Sequence, residues 1–409
     1  MLAQLTRSAV VMSLLLGLPA SGKAEPVSYG FTFIGEAAGP ALDPIPALND
    51  GGTVAFVGQQ AGVFGVFVGN GGPVAFLPVL DGAVFISGVS LNNAGGVAVR
   101  VVRGGAGGSS SVARSVDGGS LITLYTAFGG GMGVPSLNST GTVAFAASTP
   151  PFSPSGVFVG SGGPTTTIAD GSGLFSGGNF GIAPSLNNLG TVAFSVVFGA
   201  PGSGIFTGSG GPVTLIADTG GPFNGFGDPS LNDAGMVALL ATLDIGGSAI
   251  LISTTGGITP VVDTDGAFSG FSPSLSLNNL GAVAFLADLD AGGSGIFAGP
   301  DPVLDRVIST GDTLFSSTVV GLSLSREGLN DAGQVAFLAQ LADGRTVIVR
   351  ADPGGVAVVP EPSALLLLGP GVIGLELPWM AARRRTRVLP ATLRSLYRLM
   401  AQTRSRTIE

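Results

Sequence analysis

Four aspartates stand in two short clusters that offer carboxylate oxygens, the ligands that calcium prefers in proteins. They are Asp263 and Asp265 in the run Asp-Thr-Asp-Gly, and Asp288 and Asp290 in the run Asp-Leu-Asp. Neither run is a complete EF-hand loop, because no glutamate stands at the twelfth position. Hydrated turn aspartates are therefore the default interpretation and no cofactor is assigned, with structural calcium as the alternative.

A second set of polar side chains is repeated along the chain. Seven asparagines occupy the second position of the phrase Leu-Asn-x-x-Gly-x-Val-Ala, and they are Asn49, Asn92, Asn138, Asn187, Asn232, Asn278 and Asn330. A ring of amides could line a pore. The pattern favours a structural role, because asparagine tolerates left-handed backbone and closes its own turn, while the glycine three residues later supplies positive φ.

The sequence contains no cysteine and no histidine, which excludes a Cys/His zinc site, a Ser-His-Asp triad and a cysteine nucleophile. A pair of carboxylates is the remaining catalytic machinery, and glycosidases use one. An active site would break the symmetry of the repeats, and the irregular residues are few: Arg100, Arg103, Arg306, Arg326 and Glu327. We interpret Arg326 and Glu327 as a surface ion pair and assign no catalytic or cofactor-binding residue.

The asparagines recur at intervals of 43 to 52 residues. A period of this size is typical of repeat proteins, whose units bury their apolar faces only against their neighbours. Within each unit, apolar β-branched runs such as residues 191–197 alternate with Gly/Pro turns, and no amphipathic helical segment interrupts them. The body, residues 25–359, is therefore predicted to be all-β.

Several short strands per unit match a propeller blade, so seven repeats predict a seven-bladed β-propeller, with a β-solenoid as the alternative. The seventh repeat lacks its returning strand, and we assign residues 45–48 to that place. The phenylalanines that end five of the seven phrases are expected to pack between blades.

Charge is distributed unevenly. Residues 25–359 hold seven arginines, no lysine and 22 of the 25 acidic residues, which leaves a net charge of −15. Such a surface repels phosphate backbones, so nucleic acid is not an expected partner.

The two ends of the chain are predicted to be targeting segments. Residues 1–24 combine Arg7, an apolar run and small residues before Ala24, the pattern of a secretory signal peptide. Near the other end, the box Pro360, Glu361 and Pro362 precedes an apolar stretch long enough to cross a bilayer as one transmembrane helix. The arginine cluster Arg383, Arg384 and Arg385 follows this stretch and would hold the basic tail, residues 388–409, in the cytoplasm.

Residues 360–387, with this order of box, helix and arginines, resemble the PEP-CTERM sorting signal. The resemblance implies that an exosortase-type enzyme recognises Pro360, Glu361 and Pro362 and releases or transfers the protein to the cell surface. Glu376 and Pro378 inside the apolar stretch depart from the pattern. The repeated phrase also resembles the NxxGxxAF tandem-repeat surface proteins, which carry alternative C-terminal anchors, and this resemblance implies export and display without known catalytic residues.

Together these features predict an exported cell-surface or extracellular-matrix protein that acts as a binding or structural module. Its expected partners are the sorting enzyme, the membrane through the C-terminal helix, and exopolysaccharide or other surface proteins. The alternative is a secreted carbohydrate-active enzyme on a β-propeller scaffold.

Overall fold

The structure is a computed structural model that describes residues 25–354, apart from 38–41, 80–82, 105–107, 116–118, 129–130, 149–154 and 199–201. The predicted signal peptide, sorting segment and basic tail lie outside the described residues. No helix within the described ranges is long and apolar enough to cross a membrane.

The chain forms seven antiparallel sheets that are the blades of a β-propeller, and each blade has four main strands. We number the blades 1 to 7 from the repeat of Asn49. The innermost strands are Ala47–Leu48, Ala83–Leu91, Ser136–Leu137, Ser185–Leu186, Ser230–Leu231, Phe268–Leu277 and Ser317–Leu329. The second strands are Val54–Gln60, Val97–Arg103, Val143–Ala147, Val192–Phe198, Val237–Leu243, Val283–Leu289 and Val335–Leu341.

The two outer positions complete each blade. The third strands are Val63–Gly69, Ser109–Ser115, Gly156–Gly160, Gly202–Gly208, Ser248–Thr254, Ser294–Phe297 and Thr346–Pro353. The outermost strands of blades 1 to 6 are Ala75–Pro78, Ile122–Phe128, Thr166–Asp170, Thr214–Asp218, Gly257–Asp263 and Arg306–Ser309.

Short additional pieces extend the inner parts of four blades. Asn179–Phe180 and Phe223–Phe226 pair with the second strands of blades 4 and 5, and Thr313–Leu314 pairs with the start of the inner strand of blade 7. Leu42–Asp43 adds a parallel pair on the inner strand of blade 2. A 3-10 turn, Gly173–Phe175, is the helical content of the described chain.

The ring is closed by the N-terminal strand Tyr29–Glu36, which pairs antiparallel with Thr346–Pro353 and forms the outermost strand of blade 7. The prediction for residues 45–48 was wrong, because Ala47–Leu48 pairs with Val54–Gln60 and is the innermost strand of blade 1. A segment of the N-terminal region completes the last blade, but this segment is Tyr29–Glu36, which lies earlier in the chain than the one that the pattern indicated.

The blades stack through the Val-Ala-Phe part of the repeated phrase. Successive residues of a strand point to opposite faces, so the alanine of each phrase meets one neighbouring blade and the next residue meets the other. Ala284 of blade 6 packs in one cluster with Phe337 of blade 7, and Ala336 of blade 7 packs with Phe56 of blade 1. These phenylalanines are 0–1% exposed. The packing of a small alanine against a large phenylalanine of the next blade explains why the phrase alternates alanine with a bulky residue. It also confirms that the phenylalanines pack between blades.

Candidate functional site: the axial channel

The Leu-Asn turns stand around the axis of the propeller. In every copy, the asparagine side-chain oxygen accepts a hydrogen bond of 2.7–2.9 Å from the backbone N–H four residues later. The glycine three residues after each asparagine has a φ of 75° to 83°. A residue with a Cβ rarely adopts this conformation, so the glycine is required for the turn. The asparagines themselves do not have positive φ, which corrects one part of the sequence interpretation.

The same seven asparagines link the blades into a closed ring. Each side-chain N–H donates to the backbone carbonyl of the asparagine one blade further on, at 2.9–3.4 Å, and Asn330 donates to Asn49. All seven residues are buried, with 2–7% exposure. The oxygen and the nitrogen of each amide therefore both bond within the fold, which supports the structural role of the asparagines.

The residues that follow the asparagines form a second, exposed to half-buried layer beside the asparagine ring. They are Asp50, Asn93, Ser139, Asn188, Asp233, Asn279 and Asp331. Six of their backbone N–H groups donate to the side chain of the next blade at 2.7–3.2 Å. This layer repeats the inter-blade bonding of the asparagine ring.

A third layer consists of the serines that precede Leu-Asn in five blades. Each hydroxyl oxygen accepts a hydrogen bond of 2.9–3.2 Å from the leucine N–H of the next blade, and the serines are Ser90, Ser136, Ser185, Ser230 and Ser276. The layer is interrupted where Ala47 and Gly328 replace serine.

Glu327 occupies part of this interruption. Its Oε2 accepts a hydrogen bond from the N–H of Leu91 at 3.3 Å, the leucine for which Ala47 provides no hydroxyl. Its Oε1 accepts from the hydroxyls of Ser90 at 2.9 Å and Ser136 at 3.4 Å. The carboxylate therefore bonds to the inner ends of blades 2 and 3.

An irregularity of the inner strand of blade 7 brings Glu327 to this position. Leu324 pairs with Phe337 and Leu329 pairs with Val335, so residues 325–328 stand opposite the single residue Ala336. The extra residues enter the channel as a bulge. The prediction of a surface ion pair for Arg326 and Glu327 was wrong, since both side chains lie inside the channel.

Arg326 and Glu327 divide the channel into two spaces. The space of about 150 Å³ on one side is lined by the three polar layers. A cavity of about 190 Å³ lies on the other side, and Arg326 and Glu327 are the residues common to both linings. We call this second space the Arg326 cavity. Its walls are largely apolar and include Val89, Val134 and Leu275.

Asp228 is a second acid in the Arg326 cavity. Its Oδ1 accepts a hydrogen bond of 3.0 Å from the hydroxyl of Ser195 in the second strand of blade 4. Gly181 packs against this pair, since a Cβ there would lie 2.1 Å from the Ser195 oxygen and 2.5 Å from Oδ1 of Asp228. A glycine is therefore needed at position 181 for the two polar groups to meet.

Arg326 reaches across the channel and donates from Nη1 to the backbone carbonyl of Ala183 in blade 4. Within the described chain, its Nε is buried without a hydrogen-bond partner. No carboxylate oxygen of the described residues lies within 4.0 Å of its guanidinium nitrogens. The guanidinium is attracted by Asp228 and Glu327 without touching either.

The titration of the three groups follows from burial in a narrow channel. Loss of hydration raises the pKa of Glu327, although Arg326 and the hydrogen bonds from Ser90, Leu91 and Ser136 act in the opposite direction. Burial also raises the pKa of Asp228, against the opposing effects of Arg326 and Ser195. Burial lowers the pKa of Arg326, which the two nearby carboxylates partly offset.

The calcium candidates lie elsewhere, at strand ends and turns of blades 5 and 6. Oδ1 of Asp263 accepts a hydrogen bond of 3.1 Å from the backbone N–H of Asp265, and the N–H of Asp290 donates to Ala267 at 3.1 Å. Asp288 lies in the second strand of blade 6. The described residues contain no group of three or more carboxylates that could hold one metal ion. Calcium binding stays a prediction, and a melting temperature that rises with added Ca²⁺ relative to a chelator would support it.

The other irregular arginines belong to blade surfaces. Arg100 and Arg103 donate to serines of the neighbouring strand, and Arg306 forms an exposed ion pair with Asp312 at 3.3 Å. The sorting residues Pro360, Glu361, Pro362, Arg383, Arg384 and Arg385 lie outside the described residues.

Sequence reasoning missed Asp228, Ser195 and the serine layer. The serine layer has a detectable signal, because serine directly precedes Leu-Asn in five copies of the phrase and is replaced in the other two. Asp228 has no such signal, since only the ring brings it near Arg326.

Fold and channel define a seven-bladed β-propeller whose axis is occupied by inter-blade hydrogen bonds and by one inserted Arg-Glu pair. Residues 178–366 match the model of a family of unknown function, DUF7453. The match begins in blade 4 and extends beyond the predicted Pro-Glu-Pro box. No curated protein matches the chain.

Solved propeller structures are similar to the chain at low identity. A puromycin hydrolase has 13% identity and a TM-score of 0.50, with 81% of this chain and 57% of that chain covered. A prolyl endopeptidase has 13% identity and a TM-score of 0.49, and the match covers 77% of this chain but only 51% of that one. The β-propeller domain of the Trilobed protease from Pyrococcus furiosus has 13% identity and a TM-score of 0.48, covering 66% and 86%. The chain thus spans only about half the length of the first two of these enzymes, and the likeness shows the fold alone.

Proposed function

We propose that this chain is an exported, non-enzymatic propeller of the cell surface or extracellular matrix, which acts as a binding or structural module. An exosortase-type enzyme would recognise Pro360, Glu361 and Pro362, and the C-terminal helix would hold the protein in the membrane before processing. Exopolysaccharide or other surface proteins are the proposed partners.

The observation that carries the non-enzymatic part is the use of the repeated polar residues. Asparagine and serine side chains of the channel bond to the next blade, so the repeat supplies structure rather than reactive groups. A catalytic site needs groups that are free to meet a substrate. The acidic surface and the apolar inter-blade core suit a stable display scaffold.

The bounds of the ring are compatible with processing at both ends. The first strand, Tyr29–Glu36, begins after Ala24, and the last, Thr346–Pro353, ends before the Pro-Glu-Pro box. Cleavage after Ala24 and near Pro360 would leave every strand of the seven blades intact.

The test is expression of the full chain in its own host, followed by fractionation and intact-mass measurement. We expect a mature form that starts near Glu25 and ends near Pro360, in the outer envelope or the medium. A Glu361→Ala variant should be retained in the inner membrane with residues 363–409 attached, whereas an Asp343→Ala variant in an exposed turn should be processed normally. A wild-type protein that keeps its C-terminus, or a Glu361→Ala variant processed like the wild type, contradicts sorting at this box.

One observation favours the alternative of a carbohydrate-active enzyme. Asp228 and Glu327 line the same cavity, and burial raises the pKa of each carboxyl, as a general acid requires. Against this role, both oxygens of Glu327 already accept hydrogen bonds from the protein. Glycan cleavage that is lost in both Asp228→Asn and Glu327→Gln would establish the enzyme, and no cleavage by the wild type on a polysaccharide panel would reject it.

A further inference from the structure

The Arg326 cavity contains one cationic and one anionic group that do not satisfy each other. Arg326 presents a buried Nε without an acceptor in the described chain, and no carboxylate oxygen of the described residues lies within 4.0 Å of its guanidinium. Asp228 uses Oδ1 for the Ser195 hydroxyl, and the described residues donate no hydrogen bond to its Oδ2. The two groups lie near enough to interact electrostatically. The space between them therefore suits a molecule that bridges them.

A third polar group completes the lining. Ser274 is among the residues that line the same cavity, and within the described chain its hydroxyl forms no hydrogen bond. The remaining wall is largely aliphatic, with Ile45, Val89, Val134 and Leu275 among its residues, and it also includes Ser325 and Glu327. A few convergent polar groups in a largely apolar cavity are the usual composition of a small-molecule site.

Glu327 is not part of this unsatisfied set. Its two oxygens accept hydrogen bonds from Ser90, Ser136 and Leu91 on the side of the polar layers. A ligand in the cavity therefore meets one cation with an unpartnered Nε and one free carboxylate oxygen, and a complementary ligand carries one charge of each sign.

We propose that the Arg326 cavity binds a small zwitterion with an ammonium and a carboxylate on one carbon, that is, a free α-amino acid with an aliphatic side chain. The ligand carboxylate accepts hydrogen bonds from the Arg326 guanidinium and the Ser274 hydroxyl. The ligand ammonium donates to Oδ2 of Asp228. The side chain packs against Val89, Val134 and Leu275.

The charge pattern favours the zwitterion over other small ligands. Hydrogen bonds to charged partners are about twice as strong as neutral ones, so a neutral diol would satisfy the two groups less well. A simple carboxylate or a simple amine would satisfy one group and leave the other unpaired in a poorly hydrated place, which is costly. The lining includes no aromatic residue on which a sugar ring could stack.

This inference goes beyond the proposed function and does not depend on export or sorting. Binding is measured on the purified full chain, whereas the proposed function is tested by fractionation in the host. A negative binding result would not contradict the proposed function, and a negative fractionation result would not contradict ligand binding.

The experiment is isothermal titration of the full chain, purified in detergent, with L-leucine, isocaproate, isoamylamine and glucose. Isocaproate has the carboxylate without the amine, and isoamylamine has the amine without the carboxylate. We expect L-leucine to bind at least about tenfold more tightly than any of the other three, because only the zwitterion satisfies both charged groups. No binding of L-leucine at millimolar concentration would overturn the proposal and leave a cavity filled by water. Equal or tighter binding of a single-charge compound or of glucose would also overturn it.

Two substitutions locate the binding. Arg326→Met and Asp228→Asn should each weaken L-leucine binding about tenfold or more, and Arg306→Met, which removes an exposed arginine of blade 6, should leave it unchanged. Binding that survives in folded Arg326→Met and Asp228→Asn proteins would place the ligand elsewhere and reject this site. If either variant fails to fold, the ligand series on the wild type decides the question.

Discussion

The side-chain amide of Asn330 donates a hydrogen bond of 3.0 Å to the backbone carbonyl of Asn49, although 281 residues separate them in the sequence. This bond joins blade 7 to blade 1 and closes the asparagine ring. Because the ring has no ends, each asparagine both donates to the next blade and holds the carbonyl that the previous blade needs. The asparagine ring therefore both lines the channel and closes the propeller.

Loss of one ring member should destabilise the whole propeller. Asn187→Ala removes the acceptor for the half-buried N–H of Thr191 and the donor to the buried carbonyl of Asn232. We expect a loss of about 1–3 kcal/mol in the free energy of unfolding, measured by urea denaturation. Ser139→Ala is the control, because only the backbone of Ser139 takes part in the inter-blade bonding, and its midpoint should stay within about 0.5 kcal/mol of the wild type. Equal midpoints for the two variants would show that the ring is not stabilising.

Removal of Glu327 should be costly, whereas its neutral isostere should be tolerated. Glu327→Ala leaves the hydroxyls of Ser90 and Ser136 and the N–H of Leu91 without their acceptor. It also removes one of the two negative charges near Arg326. Breaking a buried charged set in this way costs about 3–5 kcal/mol. Glu327→Gln retains an acceptor oxygen and should cost clearly less. Thermal unfolding of both variants is the measurement, and an alanine variant as stable as the glutamine variant would contradict the role of these bonds.

The same carboxyls predict an unusual dependence of stability on pH. Burial raises the pKa of Glu327 above its ordinary value of 4.5 and that of Asp228 above 3.8, so the folded protein holds protons that the unfolded chain has released. In the interval between each ordinary pKa and its raised value, stability therefore falls as the pH rises and increases on acidification. Desolvation raises the pKa of Asp352, but hydrogen bonds from Arg350, Thr32 and Gln334 outweigh it, so this pKa is lowered in the folded protein. At lower pH, Asp352 therefore makes stability increase as the pH rises.

Denaturant midpoints between pH 4.5 and 7 measure this effect. Glu327→Gln and Asp228→Asn should each flatten the increase on acidification, because the substituted amide does not titrate. If the stability of the wild-type protein only rises with pH across this interval, Glu327 and Asp228 are not the groups that dominate the pH dependence of stability.

Closure by the N-terminal strand can be tested with two adjacent residues. Ile34 is 2% exposed and packs in one cluster with Val54 and Ile348, whereas Phe33, its neighbour, is 42% exposed. Ile34→Ala should cost about 2–5 kcal/mol, because it opens a cavity between blades 7 and 1. Phe33→Ala should cost clearly less than Ile34→Ala, because Phe33 is already 42% exposed and its edge-to-face contact with Phe315 adds only about 0.5–1.5 kcal/mol beyond the area that it buries. Comparable losses in the two variants would argue against the strand as a packed part of blade 7.

Local signals in the sequence were sufficient for the repeating parts of this protein. The period of the Leu-Asn phrase predicts the number of blades, because each unit must cover the apolar face of the next. The glycine three residues after Asn187 has the positive φ that the turn pattern predicts, since turn geometry depends on a few neighbouring residues. The alternation in Ala193-Phe194 predicts two buried faces for the same strand.

The features that depend on closure of the ring can be determined only from the tertiary structure. Residues 45–48 and Tyr29–Glu36 are both plausible closing strands in the sequence, and the choice depends on which segment reaches the edge of Thr346–Pro353. Arg326 and Glu327 read as an ordinary surface pair, because a sequence shows charge but not the direction in which a bulge points. Asp228 becomes part of a site only when blades 4, 5 and 7 face one another across the axis. The sequence by itself therefore determined the unit and its number, while the channel, its inserted pair and its cavity arise from contacts between residues far apart in the chain.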